Sequence, residues 1–147
     1  MIIISPYSKT LKSGKPNPKN YPYWNKVLEG INEDVVQIGI SGEAKLTKDF
    51  RENLNFDELR ALLKECRTWL SCDSFFQHLG WVEKKPGIVV FSRSDPLIFG
   101  HPENTNLLKS RKFLTPYQFI WWEEQEYIEE AFIEPNEIIK ALELFKN

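Results

Sequence analysis

Small polar residues and a histidine gather where an apolar run ends in the middle of the chain. Asp73 and Ser74 directly follow the apolar run 69–72, and the sequence then reads as a helix. Asp and Ser are typical of helix N-termini, where backbone N–H groups and the helix dipole attract an anion such as a diphosphate. His78 comes one turn after Ser74, on the same helical face. We therefore expect its imidazole to point at the same anion.

A second apolar run, 88–91, follows this helix and ends in Ser-x-Ser-Asp-Pro, so that Asp95 and Pro96 begin another loop. The order is strand, helix, strand, with polar residues wherever a strand ends. In an open α/β sheet these carboxyl-end loops form the ligand crevice.

The remaining elements extend this pattern. Strands are predicted at 1–4 and 35–40, and helices at 23–31, at 75–82, from Asn55 or Asp57 to about 66, and from Pro135 to 145. Residues 8–20 and 95–106 read as loops, 44–50 are unclear, and 107–114 and 119–122 fit either strand or loop. Alternating strands and helices predict one Rossmann-like domain over 1–147, with three α/β/α layers and a mostly parallel sheet.

Composition excludes several classes of function. The 147 residues are 41% hydrophobic with a net charge of -2 and no basic stripe, which argues against nucleic acid as a partner. No apolar run approaches the ~20 residues of a membrane span, and no signal peptide is evident, so a cytoplasmic protein is expected. Cys66 and Cys72 suit neither redox nor zinc spacing and are expected to be buried thiols. His101 has no partner at ligand spacing, so no metal is expected.

The motif region resembles the heptosyltransferase-like glycosyltransferases. Their pattern is roughly D-S-G-x-x-H-L-A, then G-K-P-x-x-x-x-F-G-x-T-D-P, and this chain has D-S-F-F-Q-H-L-G, then K-K-P-G-I-V-V-F-S-R-S-D-P. Further segments match in order: K-N-Y-P-Y-W from Lys19, Gly39-x-x-x-Glu43, 54–63 and 133–142. These enzymes have the GT-B fold, two Rossmann-like domains facing each other across a cleft. The resemblance is to the C-terminal domain, which binds the nucleotide-sugar donor.

The resemblance implies a donor site, and no metal or further cofactor is expected. The diphosphate would lie against the loop at 73–75, with Lys19 contacting the phosphates and Glu43 reaching the ribose hydroxyls. Phe75 and Ser92 stand where the family has Gly, which allows a ligand close to the backbone. The implied donor-binding residues are Lys19, Glu43, Asp73, Ser74, Phe75 and His78, whereas no catalytic residue is assigned.

Each of these residues also has a structural interpretation. Asp73 and Ser74 could be an ordinary helix cap, His78 a hydrogen-bonded, partly buried histidine, and Lys19 a solvated loop lysine. Glu43 fits a plain turn carboxylate equally well. Asp95-Pro96 is expected to shape a loop. The Trp121-Trp122 pair is interpreted first as a packed edge and otherwise as a binding platform or protein interface.

Three hypotheses for the function stay open. The family's acceptor-binding domain, which supplies the general base, would precede Met1. The chain is then a donor-binding domain that acts with a separate acceptor-binding subunit or as a homo-oligomer. Alternatively, it is a non-catalytic binding or interaction module whose pocket Phe75 and Ser92 close. A third possibility is a different small α/β protein that shares only the architecture.

Overall fold

The computed structural model describes residues 1–145, and the last two residues of the predicted domain lie outside this range. Six strands form one sheet in the order β3-β2-β1-β4-β5-β6, and every pair of neighbours is parallel. The strands are β1 (Ile2–Ser5), β2 (Val35–Gly39), β3 (Asp49–Glu52), β4 (Thr68–Cys72), β5 (Ile88–Phe91) and β6 (Thr105–Leu108). The helices are α1 (Trp24–Glu29), α2 (Phe56–Glu65), α3 (Phe75–Val82), α4 (Pro96–Phe99) and α5 (Pro135–Glu143).

The strand order confirms the predicted Rossmann-like architecture. The chain builds outward from β1 through β2 to β3, returns beside β1 as β4, and continues through β5 to β6. The direction of building therefore reverses between β1 and β4. In open α/β sheets this reversal separates the loops of the two halves and leaves a crevice at the carboxyl ends of the strands.

Alternation along the strands produces the two buried faces of the sheet. Ile2 and Ile4 of β1 face a core completed by α1 and α5, whereas Ile3 faces a second core completed by α2 and α3. All three isoleucines are fully buried. Each such side chain stabilises the fold by about 1.5–3 kcal/mol relative to its exposed state. The two cores confirm the predicted three layers.

Trp69 fixes α3 against the sheet. Its indole Nε1 donates a hydrogen bond of 2.8 Å to the Lys85 carbonyl, and its ring lies against two glycines. A Cβ atom would come within 2.6 Å of this ring at Gly80 and within 2.2 Å at Gly87. Because the ring leaves no room for a side chain there, α3 and the following turn take one position. The start of α3 is thereby set at the end of β4.

Four segments differ from, or complete, the sequence interpretation. The segment 44–50 was unclear from the sequence, and β3 occupies its end and continues beyond it. The segment 107–114 fitted either strand or loop, and β6 begins two residues before it. The loop predicted at 95–106 contains α4, because Asp95 accepts a hydrogen bond from the Leu97 N–H and Pro96 starts the helix. Residues 119–122 form no strand and lead into a short 3-10 turn, Trp122–Glu124.

Helix α2 begins as the sequence allowed. Asn55, rather than Asp57, is its N-cap: Asn55 Oδ1 accepts from the Glu58 N–H at 2.8 Å. Glu58 Oε1 in turn accepts from the Asn55 N–H at 3.2 Å. This reciprocal capping box satisfies two N–H groups that the helix itself leaves free.

Candidate ligand-binding cleft

A cavity of about 660 Å³ lies at the carboxyl ends of β1, β2 and β4. Ser5 ends β1, Gly39 ends β2, and Asp73 follows β4; all three line the cavity. The cavity therefore occupies the point where the strand order reverses. Its volume is within the range of ligand pockets, roughly 300–1,000 Å³. Among the six predicted site residues, those that line this cleft are Lys19, Glu43, Asp73, Ser74 and Phe75.

Ser74 occupies the N-cap position of α3 without capping it. Its side chain accepts no hydrogen bond from the first turn, and its Oγ is shielded from solvent with no partner among residues 1–145. The interpretation as an ordinary cap is therefore wrong for Ser74, and Asp73 precedes the cap position. The first N–H groups of a helix have no acceptor within the helix itself. The start of α3 thus places Ser74, with its unpartnered hydroxyl, at the wall of the cleft beside free backbone donors.

Lys19 is held beside this helix start by an ion pair. Its Nζ lies 3.1 Å from Asp73 Oδ2, and Gln77 Nε2 donates to Asp73 Oδ1. The Asp73 residue is only 4% exposed. On another side the ammonium lies 4.8 Å from the ring centroid of Trp122, a cation–π distance. Lys19 is therefore a positioned cation and not a freely solvated loop lysine.

Ser92 contributes to the placement of Lys19. Its hydroxyl donates a hydrogen bond of 2.9 Å to the carbonyl of Pro18, and the residue is 2% exposed. Asn17 strengthens the same loop, since its Oδ1 accepts from the Lys19 N–H at 3.0 Å. Ser92 does not line the cleft. The hypothesis that Ser92 closes the pocket is wrong, because its side chain is used to hold the Lys19 loop.

Phe75 forms part of the wall of the cleft. The residue is 55% exposed, and its ring packs edge-on against Phe56 with the centroids 6.3 Å apart. The cavity of about 660 Å³ is open with this ring in place. The benzyl group therefore narrows the approach to α3 without filling the cleft.

Glu43 folds back over the end of β2. Its Oε1 accepts a hydrogen bond from the Ile40 N–H, and a Cβ atom on Gly39 would lie 2.3 Å from that oxygen. Gly39 therefore allows this turn. Burial raises the pKa of Glu43, partly offset by the Ile40 hydrogen bond. Burial and then the Glu43 charge raise the pKa of Tyr7, which also lines the cleft.

His78 does not line the cleft, contrary to the expectation that its imidazole points at the anion. Its Nδ1 lies 2.7 Å from Nε2 of His101, whose ring stacks on Trp81 with the centroids 4.6 Å apart. No histidine stands at ligand spacing from His101 in the sequence, but the fold brings the loop after α4, and His101 with it, to α3. Burial, followed by the charge on His101, lowers the pKa of His78. Within residues 1–145 no three His, Cys, Asp or Glu side chains form a metal-binding group.

The sequence interpretation missed a strap across the cleft, defined here as residues 120–123. All four residues line the cavity, and Trp121 is 78% exposed. The carboxylate of Glu123 accepts hydrogen bonds from the Lys12 N–H at 2.7 Å and the Ser13 N–H at 3.4 Å. The interpretation of Trp121 in a packed edge is therefore wrong. The aromatic pair followed by acids was visible in the sequence, but its pairing with a loop about 110 residues away was not.

Other sequence expectations are confirmed outside the cleft. Asp95 shapes its loop: both of its oxygens accept from Arg111, at 3.0 and 2.7 Å. This ion pair is the main reason for the lowered pKa of Asp95. Cys66 and Cys72 are buried free thiols, and burial raises the pKa of Cys72 to about 12.

A second hollow of about 570 Å³ has four glutamates in its lining and would repel an anion: Glu126, Glu129, Glu130 and Glu134.

No helix within the described part of the chain is long and apolar enough to cross a membrane. The cytoplasmic location expected from the sequence stays a prediction.

Comparison with solved structures identifies proteins of similar fold. The ADP-heptose lipopolysaccharide heptosyltransferase II of Escherichia coli superposes over 98% of the chain with a TM-score of 0.67 and 13% sequence identity. E. coli heptosyltransferase WaaC with ADP superposes over 99%, with a TM-score of 0.68 and 13% identity. The chain folds like one part of these heptosyltransferases. The resemblance stated from the sequence motifs is thus confirmed at the level of the fold.

A third structure is TibC of enterotoxigenic E. coli, a dodecameric iron-containing glycosyltransferase. It covers 93% of the chain with a TM-score of 0.59 and 15% identity. The chain spans 45%, 44% and 37% of these three structures, so it corresponds to less than half of each. No protein-family model matches the sequence, and no curated protein matches it either.

Proposed function

We propose that the cleft binds the diphosphate of a nucleotide-sugar, and that the chain is the donor-binding part of a glycosyltransferase. The observation that carries this proposal is the buried Ser74 hydroxyl, which has no partner in the described part of the chain and stands at an uncapped helix start in the cleft. Helix N-termini bind phosphates through backbone N–H groups and the helix dipole. Lys19 adds a fixed positive charge next to these donors.

The two sides of the cleft suit the nucleoside and the diphosphate of such a ligand. The β2 side has the apolar side chains of Ile38 and Ile40 beside the Glu43 carboxylate. An apolar slot next to a carboxylate fits a nucleoside, since a carboxylate after a Rossmann strand accepts hydrogen bonds from ribose hydroxyls. We therefore assign the nucleoside to the Glu43 side and the diphosphate to Ser74 and Lys19.

Glycosyl transfer needs a second binding surface. The acceptor hydroxyl must be held and deprotonated within hydrogen-bond reach of the donor sugar. We propose that an acceptor-binding partner, or a second copy of this chain, supplies this surface, in line with the chain's coverage of less than half of each heptosyltransferase. The proposal predicts transferase activity only when that second component is present.

Isothermal titration of the chain with ADP, UDP and GDP tests the donor site. At least one of them should bind in the micromolar range. Ser74→Ala should weaken that binding about tenfold or more, because hydrogen bonds to charged groups contribute about 1.5–3 kcal/mol. Ser94→Ala is the matched control: its Oγ is also buried without a described partner, but it does not line the cleft. Absence of binding, or equal loss in both variants, would contradict the proposed function.

A further inference from the structure

The strap contains an exposed tryptophan, Trp121, that has no role in the donor site proposed above. Trp121 is 78% exposed and lines the cleft. An indole contributes a large, rigid apolar face at low cost in conformational entropy. Its position at the wall of a polar ligand cleft therefore needs an explanation beyond the packing of the fold.

Two contacts hold this tryptophan in place. The neighbouring residue Trp122 is held by Lys19, whose ammonium lies 4.8 Å from the centroid of the Trp122 ring. Glu123, on the other side of Trp122, is tied to the Lys12 and Ser13 N–H groups. The backbone of the strap is therefore anchored next to Trp121, and the indole is presented to the cleft from a defined position.

The contacts of Lys19 show which parts of the cleft lie next to each other. The ammonium contacts Asp73, which precedes the start of α3, and also lies close to Trp122 of the strap. A diphosphate bound at Ser74 and Lys19 has two substituents. If its nucleoside lies on the Glu43 side, the other substituent extends toward the strap. In a nucleotide-sugar that substituent is the sugar.

We propose that Trp121 is the stacking platform for the sugar ring of the nucleotide-sugar, an inference that rests on the function proposed above. The C–H groups on one face of a pyranose are apolar and pack on an aromatic ring, while its hydroxyls remain free for hydrogen bonds. Lys9 and Lys12 also line the cleft, and the Lys12 N–H is bonded to Glu123 of the strap, so a lysine that could donate to those hydroxyls lies next to Trp121. Trp121 thereby favours a diphosphate that carries a sugar over the bare nucleoside diphosphate.

The same segment contains suitable controls. Tyr117 is 78% exposed, the same fraction as Trp121, and Phe119 is 83% exposed. Neither of them lines the cleft. A protein interface on this segment would use all three aromatic residues, whereas a sugar in the cleft would contact only Trp121.

The test compares the dissociation constants of ADP with ADP-glucose, UDP with UDP-glucose, and GDP with GDP-mannose. The proteins are the native chain, Trp121→Ala, Trp121→Phe and Tyr117→Ala. We expect Trp121→Ala to weaken binding of the preferred nucleotide-sugar about 3- to 10-fold, which corresponds to about 0.6–1.4 kcal/mol and is of the size of an aromatic contact. The corresponding nucleoside diphosphate should change less than about twofold. Trp121→Phe should keep most of the affinity, and Tyr117→Ala all of it.

The outcomes separate the two proposals. If ADP, UDP or GDP binds but Trp121→Ala changes neither ligand, or weakens both equally, the sugar platform is refuted and the donor site stands. If no nucleotide binds the native chain, both proposals fail. Thermal unfolding of Trp121→Ala should match the native chain, because the side chain is largely exposed.

Discussion

The Lys19 ammonium and the Asp73 carboxylate form an ion pair inside the cleft, with Nζ 3.1 Å from Oδ2. The pair joins the loop after β1 to the loop after β4, the two strands between which the strand order reverses. Asp73 therefore acts as a positioning residue, and Lys19 is the cation that the proposed diphosphate meets. Substitutions at this pair can therefore distinguish its effect on the free energy of unfolding from its effect on nucleotide affinity.

A double-variant cycle makes that separation. Lys19→Met should lower the free energy of unfolding by about 3 kcal/mol, because it leaves a buried carboxylate without its partner. Adding Asp73→Asn removes the orphaned charge and should restore most of this stability. Nucleotide affinity should not return, since the cation is still missing. Urea denaturation and isothermal titration of the native chain, the single variants and the double variant give both quantities. Recovery of binding in the double variant would show that Lys19 does not contact the ligand.

Ser92 tests the support of the Lys19 loop. Ser92→Ala removes the hydrogen bond to the Pro18 carbonyl and should cost about 1 kcal/mol of stability. Nucleotide affinity should fall a few-fold, because Lys19 is the next residue after the anchored carbonyl. Ser94→Ala serves as the control, as its buried hydroxyl has no described partner to lose. Equal unfolding free energies for the two variants would argue against this role of Ser92.

Phe75 distinguishes the donor site from the closed-pocket alternative. Its ring is 55% exposed and leaves the cavity open, so Phe75→Gly should change nucleotide affinity less than about threefold. The variant should also be less stable, because it loses the edge-on contact with Phe56 and because glycine loses more backbone entropy on folding than other residues. Titration and denaturation of the same preparation measure both effects. A native chain that binds no nucleotide, with binding gained in Phe75→Gly, would favour the non-catalytic module.

His78 should make stability depend on pH. Burial, followed by the charge on His101, lowers the pKa of His78 below its ordinary value of 6.5. Between the lowered pKa and 6.5 the unfolded chain binds more protons at this residue than the folded chain. The free energy of unfolding should therefore decrease as the pH falls from about 6.5 toward the folded pKa.

His78→Gln should flatten this part of the profile, which urea titrations at pH 7.5, 6.5 and 5.5 would reveal. An unchanged slope in the variant would mean that other groups cause the acid sensitivity.

The sequence predicted the fold well wherever a strand was apolar. β1, β4 and β5 are continuous buried runs, and each was recognisable from its residues alone. β3 reads D-F-R-E and is almost entirely exposed, so no hydrophobic pattern distinguished this edge strand from a loop. The start of α3 was predicted from Asp73 and Ser74 because helix starts depend on local residue types.

Side-chain contacts between residues far apart in the chain could not be predicted from the sequence. His78 and Ser74 share a helical face, yet His101, 23 residues later, determines where the imidazole points. The Glu123 contact with the loop at Lys12 spans 111 residues and depends on the completed fold. Similarly, nothing local indicated that Ser92 would reach the carbonyl of Pro18. Such contacts depend on the completed fold, and only the structure shows them.

The most direct measurement is an amide ¹H–¹⁵N spectrum of the chain titrated with the nucleoside diphosphate that binds best. We expect the largest shifts at Ser74, Phe75 and Phe76, where the first-turn N–H groups would meet the phosphates, with further shifts around Lys19. The residues of the glutamate-rich hollow should not respond. Shifts confined to another part of the sheet, or no shifts at saturating nucleotide, would contradict a diphosphate site at the start of α3.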